Sequence, residues 1–561
     1  MKKVCLILLI GIFMLPVFAK NNFHFAVLSD RSGGVNHEAF KMVVKDINNL
    51  HPDLIVTVGD LSDNALKNEY KKAMDVMDKF EVPVFYTPGN NDIVDEKTRK
   101  LFIEFTGNKP YYSFEYQNTH FIVLDNSTAE SYEDMEKKQK EWLKNDLKEN
   151  KDKINIYVFM HKPFWADNVA ENKNDKMHSL FKKYNVDAVF TGHWHQYAHN
   201  EYDGIDYYLA GSSGGGFGKE NVDLGKFYQF LWCKVDHDRL NVSIIKAGNI
   251  YRDDLVNIQE EKLSYKIVNE LIASNGKYLE EEKSLHAEIK IENATQKTIN
   301  KKLYINSKDN WIIDTESIPV VLKPAETFTK KIKLTKKGNF YPLPEMKFVY
   351  PFGRNKKIEY NRGLNIKPKV KIRKSNNQPE IDGRIKKSEW PKEASRFNEF
   401  CNNYGQKSQI SKTEVLMTYY EDNLYMAVTS YESDVSKIRA DTKKRDGNVY
   451  NDDSIGILIS QNPYKIYQTY INTNSVIWDA LIDLEKQERI KSWNGNYEHA
   501  VKKYDNRWVM EIKMNLSDLN IDKNKPFFFN IRRQQKTKNK SGFLTPNWKY
   551  DSGGYVEAKF E

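Results

Sequence analysis

Cysteine is scarce in this sequence, and its scarcity excludes two classes of protein. Of the 561 residues only three are cysteine, and Cys5 lies in the apolar segment at the N-terminus. Cys233 and Cys401 remain, far apart in the chain. A disulfide-stapled scaffold and a cysteine-based zinc cluster are therefore excluded. Any metal ion must be held by His, Asp and Asn.

Long apolar runs are scarce as well. The single candidate, residues 4–17, follows Lys2 and Lys3 and ends shortly before Ala19. A basic start, a short apolar core and small residues at the end predict a cleavable secretory signal over 1–19. An uncleaved anchor is the alternative, but the run is shorter than the ~20 residues that a spanning helix needs. We therefore expect an exported protein (periplasmic, cell-surface or extracellular) with no transmembrane helix after cleavage.

Dense blocks of Lys or Arg, internal repeats and low-complexity tracts are also missing. The net charge is only +9, and a dedicated nucleic-acid binder concentrates its positive charge on one face, so nucleic acid is not an expected partner. Apolar residues at 40% and aromatic residues at 13% indicate a globular chain. Its length predicts about three domains. The sequence indicates no oligomeric state.

The first part of the chain alternates between strand and helix patterns, which predicts a layered α/β domain. The predicted strands cover 23–29, 54–58, 82–86, 155–160, 186–190 and 207–210. The predicted helices cover 39–49, 65–80 and 133–148. A hairpin of residues 111–115 and 119–124 adds antiparallel strands.

The rest of the chain has a period-two pattern typical of β-sandwiches. A helix is predicted over 254–273, and the basic stretch 366–378 is interpreted as a linker. The predicted organisation is a signal at 1–19, an α/β domain at 20–252, a linker helix at 253–275, a β-sandwich spacer at 276–370 and a second β-sandwich at 371–561.

Polar residues cluster after the predicted strands of the α/β domain. Strand ends of such a sheet share one edge, where ligand crevices form, so residues distant in the chain meet there. Three imidazoles, two carboxylates and one amide suit first-row divalent metals, and a bridging Asp would allow two ions. The candidate ligands are Asp30, Asp60, Asn90, His161, His193 and His195.

The ordered motifs SDRS, VGDLSD, PGNND, MHKP and TGHWH resemble those of the calcineurin-like metallophosphoesterases. This resemblance covers about residues 23–250. It implies a four-layer α/β/β/α sandwich with two divalent first-row ions (Mn, Fe or Zn) and hydrolysis of a phosphomonoester or phosphodiester by a metal-activated water. By family pattern, Asp60 bridges the ions. Asp30 and His195 bind one of them, and Asn90, His161 and His193 bind the other.

Two positions depart from the family pattern. Ser32 stands where the family usually has a metal-binding His, so either water or a neighbour such as His37 has to fill that position. Asn91 replaces a His that contacts phosphate, and an amide cannot deliver a proton near neutral pH. We take Asn91, Asp92 and Arg31 as catalytic candidates, Arg31 as a phosphate contact through its planar fork. A surface salt bridge is the alternative for Arg31.

The glycine-rich stretch 209–216 follows the last candidate ligands. Its backbone N–H groups would suit a phosphate-bearing substrate. A strand-to-loop turn without contact to substrate is the alternative.

The final domain carries strings that resemble family 9 carbohydrate-binding modules, including Ile381-Asp382-Gly383, Asn451-Asp452-Asp453-Ser454 and Trp508 with Glu511. The resemblance implies a glycan or cell-wall ligand. Candidate sugar-stacking residues are Trp478, Trp493 and Trp548, with core packing as the alternative. Asp446, Asp452 and Asp453 are candidates for calcium, with an Asp-rich turn as the alternative.

These features predict an exported metal-dependent phosphoesterase that hydrolyses a phosphomonoester or phosphodiester. The last domain adds sugar- or wall-linked phosphates as candidate substrates. The alternative is a surface protein with a weakened site that binds metal, phosphate or glycan but turns over poorly. Ser32 and Asn91 favour the alternative, and the intact candidate ligands favour the enzyme.

Overall fold

The computed structural model describes residues 21–279, 281–308, 310–353, 356–486, 488–546 and 552–561. The predicted signal at 1–19 and the candidate Trp548 lie outside the described residues. The chain divides into two compact units, residues 1–265 and 266–561. Within the described ranges, none of the helices is long and apolar enough to cross a membrane.

Unit 1 contains seven α-helices, two short 3-10 helices and twelve strands within its described residues. The strands are β1 Asn22–Leu28, β2 Leu54–Thr57, β3 Val84–Phe85, β4 Tyr112–Tyr116, β5 Thr119–Val123, β6 Asn155–Phe159, β7 Ala188–Thr191, β8 Ala198–Tyr202, β9 Ile205–Leu209, β10 Phe230–Asp236, β11 Arg239–Lys246 and β12 Asn249–Arg252. The helices are α1 His37–Leu50, α2 Lys67–Met77, α3 Glu96–Thr106, α4 Lys137–Asn150, α5 Ala166–Ala170, α6 Lys176–Lys183 and α7 Ile258–Lys266.

The strands of unit 1 form two six-stranded sheets, in the orders β12-β11-β10-β1-β2-β3 and β4-β5-β6-β7-β9-β8. One hydrophobic cluster joins the inner faces of both sheets, with Phe25 and Val56 from the first and Phe121 and Phe159 from the second. Because side chains alternate along a strand, the neighbouring residues face outward and pack against helices.

Helices cover the outer faces of the two sheets. The first sheet packs against α1 and α2 through residues such as Phe40 and Tyr70. The second packs against α4 and α6 through residues such as Leu143 and Phe181. The predicted α/β domain is thus present, although the sequence prediction had no helix at α3 or α6 and no strands at β10–β12.

The parallel strands place their carboxyl ends together. In the first sheet β1 pairs in parallel with β2, and β2 with β3. In the second, β5, β6, β7 and β9 pair in parallel. The loops that follow these strands therefore meet at one edge of unit 1, as expected for ligand crevices in α/β folds.

The predicted helix over 254–273 is shorter in the structure. It comprises α7 and the π-helical turn Ile267–Leu271, and strand β13 begins at Ile272.

Unit 2 is all-β across its described residues, as the period-two pattern predicts. Its strands are β13 Ile272–Leu279, β14 Ser284–Glu292, β15 Ile299–Asn306, β16 Trp311–Ile313, β17 Ser317–Leu322, β18 Thr327–Lys336, β19 Glu345–Phe352, β20 Lys356–Gly363, β21 Ile366–Ile372, β22 Ser395–Phe397, β23 Thr413–Tyr420, β24 Asn423–Tyr431, β25 Ser454–Ser460, β26 Lys465–Asn472, β27 Ile477–Asp483, β28 Glu488–Ile490, β29 Tyr497–Tyr504, β30 Arg507–Asn515, β31 Phe527–Gln535, β32 Lys540–Phe543 and β33 Val556–Phe560. They form sheets of twelve, five and four strands.

The linker predicted over 366–378 is wrong for its first half. Residues Ile366–Ile372 form β21, which pairs in parallel with β13 on one side and with β33 on the other. One sheet therefore runs through the segment, and the boundary predicted between 370 and 371 falls inside a strand. The other domain boundaries stay predictions.

The charge pattern of β21 explains why its sequence is similar to that of a linker. Its basic residues meet carboxylates, with Lys369 3.1 Å from Glu557 and Lys371 2.9 Å from Glu561. The residues at both of its ends, Ile366 and Ile372, are buried. A solvated linker and an ion-paired strand have similar composition, and only the alternation distinguishes them.

Candidate metal centre

Polar side chains converge at the edge of unit 1 where the parallel strands end. Two groups bring three ligand atoms each within 4.8 Å of one another: Asp30, Asp60 and His195, and Asp60, His161 and His193. Asn90 adjoins the second group, with its Oδ1 3.0 Å from His161 Nε2. The structure therefore brings together all six residues proposed as ligands, and Asp60 belongs to both groups.

Asp30 is fully buried at the end of β1. Its carboxylate accepts the backbone N–H of His193 at 3.0 Å and the hydroxyl of Ser29 at 2.5 Å. Burial by itself would raise the pKa of Asp30. The hydrogen bond from His195 and the charges of His161 and His195 outweigh it and lower that pKa to about 2. Asp30 is therefore a carboxylate at neutral pH.

Two imidazoles are fixed in the orientation of a metal ligand. His195 donates its Nδ1 proton to the Gly216 carbonyl at 2.7 Å, and its Nε2 lies 3.3 Å from Asp30. His161 donates its Nδ1 proton to the Val58 carbonyl at 2.8 Å. A carbonyl can only accept a hydrogen bond, so Nδ1 carries the proton in both rings. Nε2 of each ring faces the carboxylates and is available to bind a metal ion.

The two histidines of the second group, His161 buried and His193 half-buried, have opposite pKa shifts. Burial lowers the pKa of His161, but the charge and hydrogen bond of Asp60 dominate and raise it to about 9. Burial and the neighbouring charge of His161 lower the pKa of His193 to about 4. His193 Nδ1 lies 3.2 Å from His161 Nε2. At neutral pH His161 is thus protonated beside Asp60 in the metal-free site, and His193 is neutral.

Left-handed backbone occurs at three of the candidate ligands. The φ angles are 61° at Asp60, 79° at His193 and 54° at His195. Non-glycine residues take such angles at a cost and do so mainly where the surroundings enforce them. The cost is consistent with a site in which side-chain direction matters more than local stability.

The glycine-rich stretch packs against the candidate ligands Asp30 and His195. The N–H groups of Ser213, Gly214 and Gly215 all donate to the Asp30 carbonyl. A Cβ on Gly215 would overlap the Ser32 carbonyl and come within 2.7 Å of His195 Cε1. These N–H groups are used within the protein, so the structure favours the turn and gives no support to a phosphate-binding role.

Comparison with known proteins assigns this part of the chain. The family described as calcineurin-like phosphoesterase matches residues 23–197. Unit 1 contains a calcineurin-like phosphoesterase domain. Relatives include a 3',5'-cyclic-nucleotide phosphodiesterase of Nostoc, 24% identical over 32% of this chain and 70% of that protein. A probable glycerophosphodiester phosphodiesterase of Arcobacter nitrofigilis is 30% identical over 23% of this chain.

The aligned part spans 48% of the Arcobacter relative, so the similarity concerns only the common domain. Among solved structures, Plasmodium GAP50 is 17% identical over 43% of this chain and 90% of its own, with a TM-score of 0.33. A family 9 carbohydrate-binding module of Caldicellulosiruptor kristjanssonii is 13% identical over 34% of this chain and 96% of its own, with a TM-score of 0.26. Likenesses this weak carry no functional argument.

The two departures from the phosphoesterase pattern touch each other. Asn91 Nδ2 donates to Ser32 Oγ at 3.1 Å and to Asp60 Oδ2 at 2.7 Å. The Asn91 backbone N–H donates to Asp60 Oδ1 at 2.9 Å. The two replaced positions of this phosphoesterase domain, Ser32 and Asn91, are therefore joined by a hydrogen bond. His37 is exposed at the start of α1 and belongs to neither ligand group.

Asp92 and Arg31 have contacts that differ from their predicted roles. The Asp92 carboxylate accepts the backbone N–H groups of Leu61, Ser62 and Gly89. Arg31 is 3% exposed and donates to the Leu61 carbonyl at 2.6 Å. Both side chains support the loop after β2. Their catalytic roles stay predictions that this geometry does not favour.

A positioning residue was missed in the sequence. Asn126, buried after β5, accepts the backbone N–H of His161 at 3.0 Å and that of Lys162 at 3.1 Å, and donates to the Lys162 carbonyl. It fixes the loop that carries His161. An isolated Asn after a strand has no sequence signal that distinguishes it from a turn residue.

The contacts of Asp452 and Asp453 favour the Asp-rich turn over calcium binding in unit 2, and the calcium site stays a prediction. Asp452 accepts the backbone N–H groups of Asp441 and Thr442, and Asp453 accepts those of Arg439 and Lys536. These oxygens are already satisfied by fixed donors. Asp446 lies in a left-handed turn beside Arg445.

The candidate sugar-stacking residues are used in packing. Trp478 is buried with Tyr470 in a hydrophobic cluster. Trp493 is half-buried against Tyr467 and Tyr497. Trp390 donates its indole N–H to the buried Glu511. The strings that resemble a carbohydrate-binding module thus have structural roles in these contacts.

Proposed function

We propose that unit 1 hydrolyses phosphate esters with two first-row divalent ions, Mn, Fe or Zn. Asp30 and His195 would hold one ion, and Asn90, His161 and His193 the other, with Asp60 shared. The observation that carries the proposal is the membership of Asp60 in both ligand groups. A carboxylate common to two sets of donors is what a two-ion site requires.

The donor set fits such ions. It combines buried carboxylates with imidazoles, and backbone carbonyls hold the outer nitrogens of His161 and His195, as is typical of metal ligands. When bound, the ions would supply Lewis-acid stabilisation of the phosphoryl oxygens and lower the pKa of a water.

Asn91 is the protein's own hydrogen-bond donor at this centre. Its backbone N–H and side-chain amide both point at Asp60, the shared carboxylate. The two amide protons are used on Ser32 and Asp60, so the side chain holds the shared carboxylate in place and has no proton to give to a leaving group. Since general acid help typically contributes ~10²–10⁴-fold, esters with good leaving groups should be hydrolysed best.

Phosphodiesters are the substrates with the better support. Two of the relatives reported above are named as phosphodiesterases. Hydrolysis of phosphomonoesters is the neighbouring alternative, because a rat relative is named as a serine/threonine-protein phosphatase.

The test uses the full chain stripped with chelator and reloaded separately with Mn²⁺, Fe²⁺ or Zn²⁺. Hydrolysis of bis-p-nitrophenyl phosphate should return with metal and exceed that of p-nitrophenyl phosphate. His199→Gln is the matched control, because His199 also pairs with a carboxylate, Asp206, at 2.8 Å but lies in neither ligand group. It should keep full activity, whereas His195→Gln should lose it. Equal activity of both variants would overturn the proposal.

The second candidate function is metal and phosphate binding without efficient turnover. The contact between Ser32 and Asn91 favours it, since two family imidazoles are replaced by a hydroxyl and an amide bonded to each other. The same assay separates the candidates: a metal-loaded protein that binds inorganic phosphate but cleaves neither ester would support binding.

Four further properties are also proposed. Export rests on the signal pattern at 1–19. The four-layer arrangement of unit 1 is supported by its three hydrophobic clusters, one between the sheets and one outside each. Sugar- or wall-linked phosphates as substrates, and a glycan ligand for unit 2, rest on the sequence resemblance alone.

A further inference from the structure

Unit 2 carries a pocket of about 900 Å³ on the outer face of its five-stranded sheet. The inner face of this sheet, with Val415 and Val428, packs into the hydrophobic core. The alternate residues Leu416, Thr429 and Val509 point the other way and line the pocket floor. The pocket is far larger than one water or ion needs, and its size is in the range of ~300–1,000 Å³ typical of ligand sites.

One wall of the pocket is fixed by a buried carboxylate. The backbone N–H groups of Asp382, Gly383 and Arg384 donate to Glu511, which is fully buried. The indole of Trp390 donates to the same carboxylate at 3.0 Å. The segment that carries Arg384 is thus held in place before any ligand arrives.

The lining is strongly basic. It includes one carboxylate, Glu414, which pairs with Lys412 at 3.0 Å. Within the described residues, the cationic side chains of the lining have no ion pair with a carboxylate. The five cations are Arg384, Lys387, Arg396, Lys502 and Arg507. Several unpaired cations around one cavity favour a ligand with several negative charges.

The aromatic rings of the pocket carry cations on their faces. Arg507 lies 4.6 Å and Lys502 5.7 Å from the ring centre of Tyr504. Lys412 lies 4.9 Å from that of Tyr431. Single-stranded nucleic acids bind mainly by stacking bases on free aromatic faces, and here both tyrosine rings already contact cations. Charge therefore dominates recognition.

We propose that this pocket binds an anionic polysaccharide, a sugar chain that bears carboxylate or sulfate groups. Arginine forks match such groups in a bidentate manner, and the pocket is wide enough for more than one sugar ring. The site lies apart from Trp478 and Trp493, the residues considered for sugar stacking. It does not depend on phosphoester hydrolysis, and it would retain the enzyme on an acidic polymer.

The experiment measures binding of the full chain to polygalacturonate and to heparin, with dextran as neutral polymer and a single-stranded oligonucleotide as competing polyanion. The double variant Arg384→Gln/Arg507→Gln should weaken polysaccharide binding at least about tenfold. The matched control Lys301→Gln/Lys302→Gln removes the same charge from exposed positions of β15. It should bind as the unchanged protein does.

Preference for polygalacturonate would identify carboxylates as the ligand groups, and preference for heparin would identify sulfates. Three results would overturn the proposal: equal weakening by both double variants, tighter binding of the oligonucleotide than of either polysaccharide, or no binding of either acidic polymer. Thermal unfolding of each variant checks that the sheet is intact.

Discussion

Buried carboxylates occur in both units, and their partners differ. In unit 1, Asp30 and Asp60 lie within 3.4 Å of imidazole nitrogens. In unit 2, Asp452 and Glu511 accept backbone N–H groups at 2.8 to 3.2 Å. Residue type and depth are similar in the two units. The group that is hydrogen-bonded to the carboxylate decides whether a cation can bind to it.

The difference follows from what each partner can give up. A backbone N–H cannot lose its proton, so a carboxylate bound to two or three of them is a closed structural element. A histidine Nε2 can exchange a proton for a metal ion, so a carboxylate that faces it remains open to one. Removing a carboxylate should therefore cost activity in unit 1 and stability in unit 2.

The largest effect is expected for Asp60→Asn. Loss of the shared ligand should reduce kcat/KM on a diester by about 10³-fold or more, since metal ions supply several kcal/mol of transition-state stabilisation. Asn tolerates the left-handed φ of this position, so the fold should be retained. Steady-state kinetics and circular dichroism check both points. If the variant kept more than a tenth of the activity, Asp60 would not be a ligand shared by two catalytic ions.

The converse change is Glu432→Ala in unit 2. Glu432 pairs at 2.5 Å with Arg533, which is fully buried. Leaving this buried arginine with carbonyl and hydroxyl acceptors but no carboxylate should cost about 3–5 kcal/mol of unfolding free energy. Activity on small esters should be unchanged at temperatures where the protein is folded. Denaturant unfolding monitored alongside kcat/KM tests the pair of expectations, and a parallel loss of activity would contradict the comparison.

A smaller effect is expected from a single methyl group behind the centre. Gly215→Ala places a Cβ against Ser32 and His195. It should lower metal affinity about 10–100-fold, as mutations of residues that position metal ligands do. Gly338→Ala is the control, because its Cβ would meet atoms only at 3.4 Å or beyond. Metal titration of both variants measures the difference. Similar affinities would mean that the loop adapts.

The smallest effect concerns Asp92, the carboxylate of unit 1 that behaves like those of unit 2. Burial and the charge of Asp60 outweigh its backbone hydrogen bonds and raise its pKa to about 6. A raised carboxyl pKa means that the folded protein holds the proton more tightly. Its stability contribution is then full below about 3.9 and lost as the pH rises through about 6.

Melting of the metal-free protein between pH 4 and 8 measures this contribution. Asp92→Asn should flatten the pH dependence in that window and leave metal content unchanged. A loss of metal in the variant would show that Asp92 contributes to metal binding.

The sequence predicted the centre better than its surroundings. Asp30, Asp60 and the histidines follow apolar strands, and parallel strands must end at a common edge, so their meeting could be anticipated. Their support could not, because it comes from carbonyls of Val58 and Gly216 that have no residue-type signal.

In unit 2 the same reasoning failed for a physical cause. Composition alone does not show the partners of the Asp-rich turn or of the lysines of β21. Asp453 accepts the N–H of Lys536, and Lys369 and Lys371 pair with Glu557 and Glu561, all distant in the sequence. Whether a charged side chain binds a ligand, an amide or an opposite charge is decided by tertiary structure. The all-β class was correct because period-two alternation is a local property.

Metal stoichiometry tests the central claim most directly. The full chain, reloaded with Mn²⁺ and freed of excess metal, should hold two ions per chain by elemental analysis. His195→Gln should hold one, since it belongs to a single group, and Asp60→Asn should hold none, since it belongs to both. One ion in the unchanged protein, or equal losses in the two variants, would contradict a centre built on a shared carboxylate.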